Sequence, residues 1–268
     1  MPRRVALIAG SGSLVPAVVA AIKAGGDAYR IIAVVPRIDL DDSGIALGAF
    51  RATGLIAAIR DYAPTHIAMA GGIHLSDGDR RDLAAALQMG VETPMGDMAL
   101  GLAGERLAKL TGAALLDLDA LVPDLIAPEG PIAGPPVAPE IDAVAAYAFA
   151  QARAAGALDL CQAVVASGRR LVAAEDIGGT DLLLDRVAAF RDIGLVSTGM
   201  VLAKASKPGQ PAFFDLPAIG PVTIRKASDA GIVAIVVEAH RTLLLDRHGI
   251  ESAANELGIA VFGLRANG

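Results

Sequence analysis

The chain has 268 residues, of which 54% are hydrophobic and only 3% aromatic, and its formal net charge is −6. This length suggests one large domain or two of ordinary size, and the negative charge argues against a nucleic-acid partner, which normally requires a basic face. The single cysteine, Cys161, excludes an internal disulfide and a cysteine-cluster metal site, and we interpret it as a small core residue.

The first part of the chain alternates between apolar runs typical of buried strands and segments typical of helices. The predicted order is strand Val5–Ala9, helix Val15–Lys23, strand Ile31–Val35, helix Leu55–Tyr62, strand His66–Ala70 and helix Arg80–Leu87. This alternation predicts a Rossmann-like parallel sheet with helices on both faces. The next apolar segment, Ala113–Leu118, is compatible with either a strand or a helix.

A proline-rich segment then separates two parts of the chain. Five prolines fall within residues 127–139, and such a segment can propagate neither a helix nor a central strand. We therefore predict an N-terminal domain over residues 1–135 and a C-terminal domain over residues 136–268.

The second part of the chain also alternates between strands and helices. It predicts helix Ile141–Ala155, strands Ala163–Val165 and Arg170–Ala174, helix Asp181–Phe190 with Thr180 as its N-cap, strand Met200–Ala203, polar loop Lys204–Pro211, helix Thr223–Ala230, strand Ile232–Val237, helix Ile250–Leu257 and strand Ile259–Leu264. The expected fold is therefore two α/β domains. No stretch is apolar enough to span a membrane, and the apolar start is too short for a signal peptide, so we expect a cytoplasmic protein.

Two glycine turns at strand ends are candidate ligand contacts. Residues 10–13, Gly-Ser-Gly-Ser, join a strand to a helix, where main-chain N–H groups could bind a phosphate; the alternative is a tight turn and nothing more. Gly71 and Gly72 end the third predicted strand and would face the same crevice, with His74 beside them. Val15 replaces the third glycine of the dinucleotide fingerprint and no acid follows Val35, which argues against a dinucleotide-dependent oxidoreductase.

Charged residues follow three predicted strands of the second domain. In residues 175–181, glycines permit close backbone approach and Asp181 could bind a metal, although helix capping alone also explains the pattern. Residues 204–210 carry two lysines and a glutamine that could hold an anion; the alternative is a solvated loop in which Asp215 only forms a turn. Asp215, before a rigid Leu-Pro, could hold Mg²⁺ or orient water. Residues 238–241 form a further charged cluster, which could point into the crevice or form an ion pair at a loop.

Three of these segments, Ala174–Asp181, Lys204–Gly220 and Glu238–Arg241, resemble in this order the Mg²⁺-dependent UDP-2,3-diacylglucosamine pyrophosphatases. Leu7–Leu14 resembles the glycine-rich start of that family. The resemblance implies two domains that hold a lipid-linked UDP-sugar between them. It implies hydrolysis at the α-phosphate to UMP and 2,3-diacylglucosamine 1-phosphate in lipid A synthesis. A homodimer and contact with the inner membrane through the substrate are further expectations.

The resemblance also assigns roles to residues. Asp215 matches the family's critical aspartate, and we expect it to hold Mg²⁺, with Mn²⁺ as an alternative, or the attacking water. The expected diphosphate contacts are Lys204, Lys207 and Gln210, and the second-choice metal ligands are Asp181 and Glu175. The expected substrate-binding residues are Gly10, Ser11, Gly12, Ser13, Gly71, Gly72, Gly179, Thr180, Glu238 and Arg241.

Four positions depart from the family pattern. Gly178 stands where an acid is usual, Phe213 where an arginine is usual, His240 where a glycine is usual, and Gly72 where a basic or amide residue is common. Because two of these changes remove charge near the expected diphosphate, a second hypothesis remains open. In that hypothesis the chain is a non-catalytic or altered-specificity relative that binds a nucleotide or a UDP-sugar.

Overall fold

The computed structural model describes residues 2–39, 44–47, 50–90, 97–208 and 216–266, except that the side chains of residues 97 and 98 are not described. The chain forms two compact units that divide between Pro123 and Asp124. This division precedes the proline-rich segment, whereas the sequence prediction placed it after residue 135. Within that segment, residues 130–133 form a strand that pairs with the sheet of the second unit.

Unit 1 contains a parallel sheet. Its strands are β1 (Arg4–Ala9), β2 (Ala28–Ala33), β3 (Gly44–Ala46), β4 (His66–Ala70) and β5 (Ala114–Leu115), and its helices are α1 (Leu14–Ala24), α2 (Ala52–Tyr62), α3 (Asp77–Ala86), α4 (Asp97–Thr111) and α5 (Leu118–Leu121). The strand order is β3-β2-β1-β4-β5, and every neighbouring pair is parallel. A 3₁₀ turn, Pro123–Leu125, follows α5. The predicted parallel sheet is therefore confirmed.

Helices cover both faces of this sheet. Ala6 and Ile8 of β1 share a core with α2, α3 and α4, whereas α1 and α5 contact each other and the neighbouring strands. Residues 5–9 are at most 3% exposed, because a central parallel strand is buried on both faces. This double burial explains why the strand is uniformly apolar rather than alternating.

Unit 2 contains a mixed sheet. Its elements are β6 (Gly130–Ala133), α6 (Pro139–Ala157), β7 (Ala163–Ser167), β8 (Arg170–Ala174), α7 (Gly179–Asp192), β9 (Met200–Lys204), β10 (Ala218–Ile219), α8 (Pro221–Asp229), β11 (Ile232–Glu238), β12 (Leu243–Leu244), α9 (Arg247–Leu257) and β13 (Ala260–Leu264). The main sheet has the order β6-β13-β11-β9-β7-β8, and β10 pairs with β12 separately. Strands β9, β11 and β13 are parallel to one another, whereas β6 and β7 run antiparallel to their neighbours. The prediction of two α/β domains is confirmed.

Alternate residues of the central strands of unit 2 enter two separate cores. Val201 and Ala203 of β9 pack with α6 on one face, and Leu202 packs with α7, α8 and α9 on the other. Alanine predominates in α6 on its buried side, which allows this helix to lie close to the sheet. The low aromatic content of the chain is explained by these small aliphatic cores.

One edge of this sheet collects the polar residues that follow the strands. Lys204 of β9 lies beside Val237 of β11 and opposite Ala163 of β7, and Glu238 pairs with Leu264 of β13. Strand β8 runs in the same direction as β9, so the residues after it reach the same edge. We call this the strand-end edge of unit 2.

Among the described residues, no helix combines the length and the apolar character needed to cross a membrane.

Candidate active site

The two glycine turns of unit 1 are bonded to each other. Ser11 and Gly72 form an antiparallel bridge, in which the Ser11 N–H donates to the Gly72 carbonyl at 2.8 Å and the Gly72 N–H donates to the Ser11 carbonyl at 3.0 Å. The Gly10 N–H donates to the Ala70 carbonyl at 2.8 Å. The structure thus brings the two predicted loops together, as the sequence led us to expect.

Close backbone approach explains the glycines at this junction. A Cβ atom on Gly10 would lie 2.4 Å from the Gly72 carbonyl oxygen, and one on Gly71 would lie 2.3 Å from the Ser11 carbonyl oxygen. Gly71 also has φ +86°, a conformation that favours glycine. The N–H groups of Gly10, Ser11 and Gly72 bond within the junction, whereas those at the N-terminus of α1, which follows Gly12 and Ser13, could still meet a phosphate.

Arg37 is a charged residue at this junction whose role the sequence did not indicate. Its guanidinium donates to the carbonyl oxygens of Gly10 and Gly12 and to the carboxylate of Asp39. The side chain of Arg37 is only 6% exposed, and its hydrogen bonds hold the pKa of Asp39 below the usual value. Arg37 therefore stabilises the glycine turn. From the sequence we had noted only that no acid follows Val35 at the end of the second predicted strand.

In unit 2, Lys204, Thr180 and Glu175 form a continuous hydrogen-bonded chain at the strand-end edge. The Lys204 Nζ donates to the Thr180 hydroxyl at 2.8 Å and to the Ala218 carbonyl at 3.0 Å. The Thr180 hydroxyl in turn donates to Glu175 Oε1 at 2.6 Å. Lys204 is 7% exposed, and two of its three N–H donors bond to described groups, so one donor can still meet an anion.

The predicted role of Thr180 as an N-cap is wrong. Helix α7 begins at Gly179 with Gly178 in the N-cap position. Thr180 lies in the first turn, where its hydroxyl turns towards Glu175 rather than towards the helix main chain. Gly179 has φ +75°, which lets the chain reverse between β8 and α7 and places Thr180 over the end of β9.

Lys207, the second predicted diphosphate contact, is tied to an acid of its own unit. Its Nζ lies 2.7 Å from Asp159 Oδ1, and its side chain is 3% exposed. The Lys207 side chain is buried and the Asp159 side chain is 24% exposed, so moving the Lys207 ammonium to a phosphate would cost its bond to Asp159. The contacts therefore favour Lys204 over Lys207 as the group that meets a phosphate.

Glu238 lies at the end of β11, and its hydrogen bonds within the described part of the chain all go to neighbouring parts of unit 2. Its Oε2 accepts from the Ser206 N–H at 2.8 Å and from the Ser206 hydroxyl at 2.7 Å, and its Oε1 accepts from Arg153 at 2.9 Å. Arg153 and Asp159 were missed by the sequence analysis. Their partners are 85 and 48 residues away in sequence, and neither residue belongs to a local motif.

The remaining predicted residues of unit 2 lie near these groups but have different partners. The Asp181 carbonyl accepts from Lys226, and the hydrogen bond to Asp185 together with the charge of Asp181 raises the pKa of Lys226. His240 has φ +63°, and its ring lies 3.4 Å from the guanidinium of Arg265. The Arg241 N–H approaches the Glu238 carbonyl at 3.3 Å, which closes the turn after β11.

The described residues do not assemble a metal site by themselves. No group of three or more His, Cys, Asp or Glu residues with metal-binding geometry occurs among them. Glu175 bonds to Thr180 and to the Gln162 N–H, whereas Asp181 lies near Lys226. Gln210, Phe213 and Asp215 lie outside the described residues.

Cys161 borders the same edge and is 5% exposed, so the interpretation as a core residue is confirmed. Burial raises the pKa of its thiol, and the negative charge of Glu175 adds to this effect. The thiol is therefore protonated at neutral pH, which makes it a poor nucleophile.

Unit 1 also contains an apolar pocket beside α4. Its volume is about 420 Å³, and it is lined by Met89, Ala99, Leu102, Glu105, Arg106 and Lys109.

Comparison with known proteins places these features in a family. Residues 128–262 match the family described as the LpxI C-terminal domain. The whole chain is 31% identical over 276 aligned residues to the UDP-2,3-diacylglucosamine pyrophosphatase LpxI of Caulobacter vibrioides, with 98% of each chain covered. The chain belongs to the LpxI family. The segment that matches the LpxI C-terminal domain contains Glu175, Thr180, Lys204 and Glu238, and therefore the strand-end edge of unit 2.

Proposed function

We propose that this chain hydrolyses the diphosphate of UDP-2,3-diacylglucosamine to UMP and 2,3-diacylglucosamine 1-phosphate, a reaction of lipid A biosynthesis. The observation that carries the proposal is the Lys204–Thr180–Glu175 chain at the strand-end edge. It lies in an LpxI-family domain of a protein that matches an LpxI pyrophosphatase along nearly its whole length.

Lys204 is suited to stabilise negative charge on a phosphoryl group. A diphosphate repels nucleophiles because its oxygens are negatively charged. A fixed cation lowers the activation barrier because it stabilises the negative charge of the transition state. Lys204 is nearly buried, so water screens its charge less than it would at the surface. Thr180 and the Ala218 carbonyl hold the ammonium in one place before the substrate arrives.

Dependence on Mg²⁺ is part of the proposal and rests on Asp215. Among the described acids, Glu175 and Asp181 have separate partners and do not form a ligand cluster. We propose Asp215 as an acid that holds Mg²⁺, because it matches the critical aspartate of the family that the sequence resembles and its carboxylate would supply an oxygen ligand of the kind that Mg²⁺ prefers. Bound there, the cation would withdraw charge from the diphosphate.

The test is release of UMP from UDP-2,3-diacylglucosamine by the purified full-length protein. We expect release with Mg²⁺, loss of release with EDTA, and recovery when Mg²⁺ or Mn²⁺ is restored. Asp215→Ala should lower kcat at least about 100-fold without unfolding the protein. If folded wild-type protein releases no UMP, the proposed reaction is wrong.

Gly178 stands where an acid is usual in the family, and this change favours a second candidate function. In that case the chain binds a nucleotide or a UDP-sugar without hydrolysing it. A Cβ atom on Gly178 would lie 2.6 Å from the Leu182 Cδ1 atom, so Leu182 would have to move to admit an acid at this position. Calorimetric binding of UDP-2,3-diacylglucosamine without UMP release would support this candidate. The cytoplasmic location, the homodimer and the contact with a membrane stay predictions.

A further inference from the structure

The carboxylate of Glu238 connects three separate parts of unit 2. Strand β11 supplies Glu238, the segment after β9 supplies Ser206, and helix α6 supplies Arg153. Glu238 is 5% exposed and Ser206 is 4% exposed. A buried carboxylate needs a cation and hydrogen-bond donors; Arg153 provides the cation and Ser206 provides two donors.

The bonds from Ser206 fix the main chain between the two lysines of the site. Ser206 lies two residues after Lys204 and one residue before Lys207. Both its N–H and its hydroxyl donate to the same oxygen, Glu238 Oε2, at 2.8 and 2.7 Å. Because the main-chain N–H takes part, these bonds determine the course of the backbone and not only a side-chain orientation.

Helix α6 holds the same segment from the other side. Arg153 and Gly156 are three residues apart and share one face of the helix. A Cβ atom on Gly156 would lie 3.4 Å from the Lys207 Cα atom, so the segment packs directly against the helix at this glycine. Just beyond the end of α6, Asp159 pairs with Lys207 at 2.7 Å.

We propose that Glu238 is a positioning residue, which holds Ser206 and thereby sets the place of Lys204, and that it does not contact the substrate. The sequence had suggested substrate binding, but the described bonds of both carboxylate oxygens go to the protein itself. This inference rests on the proposed function for its kinetic part, whereas its structural part can be measured without substrate.

The test combines kinetics with hydrogen exchange on Glu238→Gln. Glutamine has one acceptor oxygen where glutamate has two, so it loses its bonds either to Ser206 or to Arg153. We expect kcat/KM for UMP release to fall about 10- to 100-fold. We also expect the Ser206 amide to exchange at least about 10-fold faster than in the wild type, with the amides of β1 in unit 1 unchanged.

Three further variants separate the role of the charge from that of the hydroxyl. Ser206→Ala keeps the main-chain N–H bond and should lower kcat/KM by no more than about threefold. Arg153→Met removes the cation and should speed exchange at Ser206, and Arg153→Lys should restore most of the wild-type behaviour. Arg153 is 30% exposed, so the two Arg153 variants test the inference even if Glu238→Gln does not fold.

The outcomes are distinct. Faster exchange at Ser206 together with lower kcat/KM supports the positioning role. Lower kcat/KM with unchanged exchange means that Glu238 contacts the substrate directly, and unchanged values of both mean that it has no role in the site; either result overturns the inference. If wild-type protein releases no UMP, the proposed function fails, and the exchange rates alone decide whether Glu238 holds the segment.

Discussion

The hydroxyl of Thr180 connects Lys204 to Glu175 at the strand-end edge of unit 2. It donates to Glu175 and accepts from Lys204, so its donor and one of its acceptor sites are in use. A threonine in the first turn of a helix is common for local reasons. Here the hydroxyl instead bonds Glu175 at 2.6 Å, five residues earlier in the same segment, and Lys204 of β9 at 2.8 Å.

Replacement of Thr180 by valine tests this connection. Thr180→Val keeps the shape of the side chain but removes both bonds, and we expect kcat/KM for UMP release to fall about 10- to 100-fold. Thr180→Ser retains the hydroxyl and should stay within about threefold of the wild type. If the valine variant is as active as the serine variant, the hydroxyl does not position Lys204.

Thr242 is a residue whose hydroxyl costs stability. The residue is fully buried, and its Oγ1 has no hydrogen-bond partner among the described residues. Thr242→Val should therefore raise the free energy of unfolding by about 1 kcal/mol.

Thr223 provides the contrast, because its hydroxyl accepts from the Gly220 N–H at 3.3 Å and caps α8. Thr223→Val should lower the free energy of unfolding by about 0.5–1 kcal/mol in the same denaturant titration.

The sequence predicted where the charged residues of the site lie, but not what each one bonds. Lys204 and Glu238 follow buried apolar runs, and this pattern places them at strand ends. The division of roles between Lys204 and Lys207 depends on Asp159, which no local pattern connects to either lysine. Long-range pairs of this kind arise from the packing of α6 on the sheet and become visible only in the fold.

At the scale of elements, the glycine turns of unit 1 depend on contact between two loops. Gly10→Ala would place a methyl group 2.4 Å from the Gly72 carbonyl oxygen, which itself accepts the Ser11 N–H. We expect this substitution to lower the free energy of unfolding by at least about 2 kcal/mol, because main chain must move to admit the methyl group.

Gly54 in helix α2 is the matched control for Gly10. The nearest atom to a Cβ on Gly54 is the Arg51 Cβ at 3.8 Å, so an added methyl group meets no obstruction. Gly54→Ala should raise the free energy of unfolding by about 0.5–1 kcal/mol through helix propensity. Equal effects of the two substitutions in denaturant titrations would show that the loops of unit 1 are not in the close contact described.

Elements with strong apolar patterns were predicted well, and short or glycine-containing ones were not. The three residues of β3 are too few to show a period, so this strand was missed. Helix α4 was missed although Leu100, Ala103 and Leu107 form a buried stripe at helical spacing. Two glycines, Gly101 and Gly104, weaken its helix propensity, and packing against α2 compensates for them.

At the scale of the whole molecule, the cores of both units consist mainly of aliphatic residues. The negative net charge of −6 coexists with a nearly buried lysine at the proposed site, because local contacts and not the overall charge determine what an anion meets. The fold class followed from the alternation of elements. The boundary between the units did not, because the proline-rich segment contributes the edge strand β6 to unit 2.

The most direct test of the account is UMP release by Lys204→Met beside Lys23→Met. Lys204 is the residue that we propose contacts the phosphoryl group. Lys23 lies in the last turn of α1, with its ammonium 5.4 Å from the centre of the Tyr29 ring. We predict that Lys204→Met lowers kcat/KM at least about 100-fold while remaining folded, and that Lys23→Met stays within about twofold of the wild type. Wild-type kcat/KM in folded Lys204→Met would contradict the assignment of the site to the strand-end edge of unit 2.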